Sequence, residues 1–132
     1  MYTLDIRTKN RTEFLEMTSE VQEIVTTAGM TSGAVVFYVP HTTAGCTINE
    51  NADPDVVRDM LSEINKVIPF ESDYRHSEGN SAAHIKASLF GSSVTVIVDK
   101  GRLVLGTWQG IYFCEFDGPR RRQAHVQLLR CH

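Results

Sequence analysis

The C-terminal third of the chain alternates β-rich runs with tight-turn residues, and this pattern narrows the possible folds more than any other feature. Ser93–Val98 is rich in β-branched residues and reads as a strand. Asp99-Lys100-Gly101-Arg102 follows with turn chemistry, and Leu103–Leu105 reads as the return strand, interrupted by Gly106. Gly110–Phe116 is another strand, Asp117-Gly118-Pro119 another turn, and Gln123–Leu129 a last strand. Tight turns join antiparallel neighbours, whereas parallel strands need long crossovers. The expected fold is therefore α+β, an extensive antiparallel sheet with a few separate helices. The glycine patterns of dinucleotide-binding and P-loop folds are absent.

The earlier part supplies more strands and the helices. Tyr2, Leu4 and Ile6 alternate on one face of a strand over Met1–Arg7. Phe14–Met17 either continues that sheet or begins a helix. Ser19 with Gln22 three residues on resembles a capping box, Val21, Ile24 and Val25 take helical spacing, and Gly29 is a stop. Gly33 opens a β run through Val39 that Pro40 closes, and Cys46-Thr47-Ile48 reads as a short strand. Asp53-Pro54 is a strong helix start, because Asp accepts orphan amide hydrogens and Pro at the first position loses nothing. Val56, Val57, Met60, Leu61 and Ile64 then share one face, and Pro69 ends the helix. Phe70–Asn80 is polar and reads as an active or binding loop. Ser81–Leu89 is a short helix candidate with Ser81 as cap and Gly91 beyond its end.

With 132 residues the expectation is one domain spanning 1–132, large enough to bury its own core. A net charge of -3 argues against nucleic-acid binding through a general basic field. No apolar run reaches the roughly 18–20 residues of a membrane span. The first residues lack the basic-then-apolar pattern of a signal peptide, so a cytoplasmic location is expected. Three widely spaced cysteines fit a reducing compartment, with Cys46 and Cys114 as small buried residues in strands.

Candidate chemistry centres on histidine. His41 follows a strand end, His76 lies in the polar loop and His84 in the short helix. Three imidazoles hold zinc with one position open for water or substrate, and magnesium prefers oxygen. The expected metal set is therefore His41, His76 and His84. His125 sits within a strand, and His132 ends the chain and reads as solvated. Glu50, unexplained by any cap or dipole, or Asp53 is a candidate general base or magnesium ligand, and Glu50 also a partner of a ligating imidazole; the alternative makes Asp53 a cap and Asp55 and Asp59 a solvated face. Lys100, Arg102, Arg120 and Arg122 together are expected to hold a phosphate, since guanidinium forks match its oxygens. On a strand Arg120 and Arg122 share a face and Arg121 takes the other; the alternative is charge protecting an edge strand. Trp108, in Gly106-Thr107-Trp108-Gln109-Gly110, is either a stacking platform or a core anchor at a bend.

The chain carries a set of characteristic blocks: Ser93–Val98 with Gly101, Gly106-Thr107-Trp108-Gln109 and Ile111; His41-Thr42-Thr43-Ala44; Ile48-Asn49-Glu50-Asn51; Asp53-Pro54; Asp59-Met60; Glu78-Gly79; and His84-Ile85-Lys86. Together these blocks resemble the YjbQ family of secondary thiamine-phosphate synthases. The resemblance covers nearly the whole chain. It implies a homotrimer and a weak activity joining hydroxymethylpyrimidine diphosphate to thiazole phosphate with loss of pyrophosphate. On the matching positions it implies roles for His41, Asn49, Glu50, His76, His84, Lys100, Arg102, Trp108 and Gln109. The expected catalytic set is Glu50, His41 and Asn49, and the expected substrate-binding set is Lys100, Arg102, Trp108, Gln109, Arg120 and Arg122. The function expected is an enzyme for phosphorylated small molecules; the alternative is a non-catalytic metal- or metabolite-binding module.

Overall fold

A computed structural model describes residues 1–131, and the reading of His132 lies outside them. The elements run β1 Tyr2–Arg7, β2 Glu13–Glu16, α1 Thr18–Thr27, β3 Ser32–Tyr38, β4 Ala44–Glu50, α2 Pro54–Val67 and α3 Ser81–Phe90, then β5 Ser93–Asp99, β6 Arg102–Leu103, β7 Gln109–Glu115 and β8 Arg121–Arg130. The strands form a five-stranded sheet, β1-β8-β3-β5-β6, and a three-stranded sheet, β2-β7-β4. Every pairing is antiparallel, as the α+β reading requires.

The main core lies between the sheets. Val35, Phe37, Val96, Val98, Ala124 and Val126 of the large sheet meet Cys46, Ile111 and Phe113 of the small one, with Val21 and Val25 of α1 in the same cluster. A second cluster joins the other face of the small sheet to the helices: Phe14, Tyr112, Cys114 and Phe116 pack with Val57, Ala83, Ala87 and Phe90. β7 is thus covered on both faces, which explains its nearly continuous apolar run. Cys46 and Cys114 are buried in strands, as expected. The outer face of the large sheet carries Tyr38, Ile97 and Leu129 exposed.

The β5–β6 turn forms as read. Lys100 (φ 52°) and Gly101 (φ 78°) both take the left-handed region, as a type I′ hairpin needs. Asp53 caps α2, its Oδ1 accepting from the Asp55 N–H at 2.9 Å. Other local readings are corrected. The helix α1 has Met17, not Ser19, at its N-cap and no side-chain cap. Gln22 instead reaches across to the hairpin, donating to the Gly101 carbonyl and accepting from the Leu103 N–H. Asn80 precedes α3, so Ser81 is its first residue rather than its cap. The return strand shrinks to Arg102–Leu103. Asp117–Pro119 does not close a hairpin: β7 and β8 belong to different sheets, and this segment carries the chain between them. Among the described residues, no helix is long and apolar enough to cross a membrane.

Candidate functional site

The chain also passes between sheets from β3 to β4, over Val39–Thr43, and this crossing meets the β7–β8 crossing at one end of the sandwich. The Phe116 N–H donates to the Thr43 carbonyl at 3.2 Å and ties the two together. Crossings of this kind leave side chains and backbone polar groups at a rim rather than in a ladder, where sites are usually built. The α2–α3 loop and the start of α3 fold over the same rim. The result is an open cavity of about 690 Å³ lined by His41, His76, His84, Glu78, Asn80, Asp117, Arg120 and Arg122, among others.

The three histidines expected to act together therefore share one cavity. The rings of His76 and His84 are 5.4 Å apart, edge to face. His76 Nε2 stands 3.9 Å from a Glu78 oxygen. His41 Nε2 lies 3.1 Å from the Gln123 carbonyl and 2.9 Å from the Gln123 N–H, so either neutral tautomer is satisfied at that nitrogen. If Nε2 carries the proton and donates to the carbonyl, Nδ1 keeps a lone pair for a ligand. Burial, then the Arg122 charge, lowers the His41 pKa, partly opposed by the bond to Gln123 and by Glu115. Among the described residues no three His, Cys, Asp or Glu side chains are already set around one point, so the histidines share a cavity without forming a closed coordination cage. The donor chemistry, three imidazoles from three separate elements, suits a late transition metal.

The arginines are less free than their sequence positions suggest. Arg120 donates through Nε to the Asp117 carbonyl and through Nη2 to its carboxylate, both at 2.9 Å. Arg122 is buried, donating through Nε to both Glu115 oxygens at 2.9 and 3.1 Å, and through Nη2 to Thr43 Oγ1 at 2.8 Å. Glu115 is 0 % exposed and also accepts from Thr8 Oγ1 at 2.7 Å and from the N–H groups of Phe116 and Asp117. Burial alone would raise its pKa, but the bonds from Arg122, Thr8 and the Asp117 N–H, with the Arg122 charge, outweigh it and hold the carboxyl below its usual value. Each cavity arginine thus has its own carboxylate. Asn80 Nδ2 donates to Asp117 at 2.9 Å, while its buried Oδ1 has no hydrogen-bond partner among the described residues.

Other expected site residues lie elsewhere. Along β4, Ala44 faces Glu115 at the cavity end and Glu50 faces Gln109 at the opposite end, about 20 Å away at strand rise. Glu50, Asn49, Trp108 and Gln109 therefore form a separate corner within the chain, and His41 does not join Glu50 and Asn49 there. Glu50 has a structural role after all, accepting from the Ala52 N–H at 3.0 Å. Asn49 Oδ1 accepts from the Glu50 N–H, and Gln109 Oε1 accepts from the Gly106 N–H. Trp108 is 62 % exposed and is no core anchor. Lys100 and Arg102 sit past Asp99, opposite Ser32, whereas the cavity end of β5 is Ser93 opposite Tyr38. Arg122 lies three residues beyond His125, the partner of Tyr38, so Lys100 and Arg102 stand roughly 30 Å from it along the strands, and the four do not form one clamp. The sequence reading missed Thr43, Asn80 and Asp117. Asp117 looked like turn chemistry alone, and only the fold reveals which rim that turn occupies.

The sequence profile described as "UPF0047 protein YjbQ-like" matches residues 2–131. UPF0047 protein YugU of Bacillus subtilis is 56 % identical over 128 residues, covering 96 % of this chain and 97 % of that protein. UPF0047 protein MJ1081 of Methanocaldococcus jannaschii is 46 % identical over 129 residues, covering 98 % and 94 %. The crystal structure of an uncharacterized conserved protein of the YjbQ/UPF0047 family from Clostridium acetobutylicum superposes with a TM-score of 0.96 at 53 % identity, covering 98 % of this chain and 100 % of that one. The chain belongs to the YjbQ/UPF0047 family.

Proposed function

We propose that the protein is an enzyme for phosphorylated small molecules that works at the three-histidine cavity with a bound divalent metal, zinc by its donor chemistry. The observation that carries this reading is the meeting of His41, His76 and His84 at one open rim, from a strand crossing, a loop and a helix. These three residues would hold the metal, which supplies positive charge for a developing anion and acidifies a bound water. The chain's own groups do the rest. Gln123 fixes the His41 ring, Glu78 stands beside His76, and the orphaned Asn80 Oδ1 is an acceptor for a substrate N–H or O–H. Arg122, paired with Glu115, sets a fixed guanidinium beside His41.

By family resemblance the reaction is a weak thiamine-phosphate synthesis, joining hydroxymethylpyrimidine diphosphate to thiazole phosphate with release of pyrophosphate. Magnesium would accompany such a diphosphate. The exposed Tyr38, Ile97 and Leu129 on the uncovered sheet face, with Ala34 directly opposite both Ile97 and Leu129, suit contact between copies in a homotrimer. The separate Asn49–Glu50 and Trp108–Gln109 corner has no role in the cavity of its own chain.

Elemental analysis of untagged protein equilibrated with zinc, beside His84→Ala, tests the metal. Zinc is expected in the wild type and sharply reduced in the variant. Equal content removes His84 from the set, and zinc in neither ends the metal reading. Pyrophosphate release from the two phosphorylated substrates is then measured on the zinc-loaded protein. Metal bound without any release would make the protein a binding module instead of an enzyme.

A further inference from the structure

A second cavity, of about 680 Å³, adjoins the histidine cavity and shares His41 and Arg122 with it. Its other lining residues include Asp5, Arg7, Arg121 and Gln123, from the ends of β1 and β8. Arg7 and Arg121 are directly opposite one another in the β1–β8 ladder. Like charges at such positions have their side chains on one face and repel. Among the described residues neither arginine has an ion-pair partner. Asp5, two residues along on the same face, is the carboxylate of this cavity, and its Oδ1 already accepts from Gln123 Nε2 at 3.3 Å. Protection of an edge accounts for a single arginine, on β1 or on β8 beyond His125 where its pairing with β3 ends, but not for two set opposite one another in one ladder.

We infer that Arg7 and Arg121 form an anion subsite that receives the phosphate of the substrate, on the far side of His41 and Arg122 from the histidine cavity. This rests on the proposal that the substrate is phosphorylated, and it places the phosphate where, among the described residues, no carboxylate is ion-paired to either arginine, Asp5 being held by Gln123. In the histidine cavity Asp117 matches Arg120 and Glu115 matches Arg122; here two guanidinium groups stand unmatched and side by side. Two forks aimed at one space suit the several oxygens of a phosphate ester or diphosphate. A substrate anchored by its phosphate at this subsite would extend past His41 toward His76 and His84.

Calorimetric titration with inorganic phosphate and with pyrophosphate tests this, using wild type, Arg7→Gln, Arg121→Gln and, as control, Arg58→Gln on the exposed side of α2. The wild type and the control should bind both anions. Each of the two subsite variants should weaken pyrophosphate binding about ten- to a hundredfold, the loss expected for a charge-assisted hydrogen bond. Melting in phosphate-free buffer guards against damage to the fold. Relief of repulsion predicts that each subsite variant melts no lower than wild type, and a clearly lower midpoint overturns the unmatched-charge argument. Undiminished pyrophosphate affinity in both variants overturns the subsite while leaving the phosphorylated-substrate reading intact. A wild type that binds neither anion overturns both.

Discussion

The buried pair of Glu115 and Arg122 provides the sharpest quantitative test of how the site is held. Removing one member of such a pair strands the other charge in the interior, which costs about 3–5 kcal/mol. The hydrogen bonds of the two groups predict an asymmetry within that range. In Arg122→Met the carboxylate keeps three donors, Thr8 Oγ1 and the N–H groups of Phe116 and Asp117, so the loss should lie near about 3 kcal/mol. In Glu115→Leu the guanidinium keeps only Thr43, so the loss should approach about 5 kcal/mol. For a chain of this size these correspond to drops of roughly 10 and 20 °C in melting midpoint. The double variant strands no charge and should cost no more than Arg122→Met alone, because coupled partners are not additive. Urea unfolding of the four proteins at one fixed protein concentration gives the cycle. Losses that simply add would refute the account of the pair.

The same cycle has a pH arm. The Glu115 carboxyl is held below its usual value in the folded protein. The unfolded chain therefore takes up the proton first as the solution is acidified. The stabilisation is complete above the unfolded carboxyl value of about 4.3 and is lost as pH falls through the folded one. The Glu115 contribution to the stability gap between wild type and double variant should accordingly shrink as pH falls below that value.

Two further outcomes test local readings. Asp53→Ala removes the acceptor for the Asp55 N–H and should cost about 0.5–2 kcal/mol in urea unfolding, with no change meaning that the cap is dispensable. In a thiol-reagent assay on native protein, Cys131 should react quickly while Cys46, whose thiol is pushed up to about 12 by burial, and Cys114 wait for unfolding; rapid reaction of all three would contradict the buried placement.

The sequence specified what depends on neighbours along the chain. β-Branched runs marked the strands, Asp53-Pro54 marked the start of α2, and Lys100-Gly101 marked a hairpin turn, because backbone preference and capping act within a few residues. His41, His76 and His84 were legible as a set for a similar reason, since each stands at a strand end, in a loop or near a helix start. Local chemistry could not show which strand ends share a rim. Glu50 and His41 are joined by one short strand and yet lie at its two ends, and Lys100 and Arg102 lie at the far end of the sheet from Arg120 and Arg122. Glu115 reads as an ordinary strand residue until burial opposite Arg122 makes it the carboxylate that neutralises that arginine. Arg7 and Arg121 are separated by most of the chain, and only the antiparallel register of β1 and β8 sets them face to face. Alternation fixes the face on which a side chain emerges, but strand pairing fixes its neighbours. Pairing is decided by burying both sheets around one core, a condition on the whole chain that no short window contains.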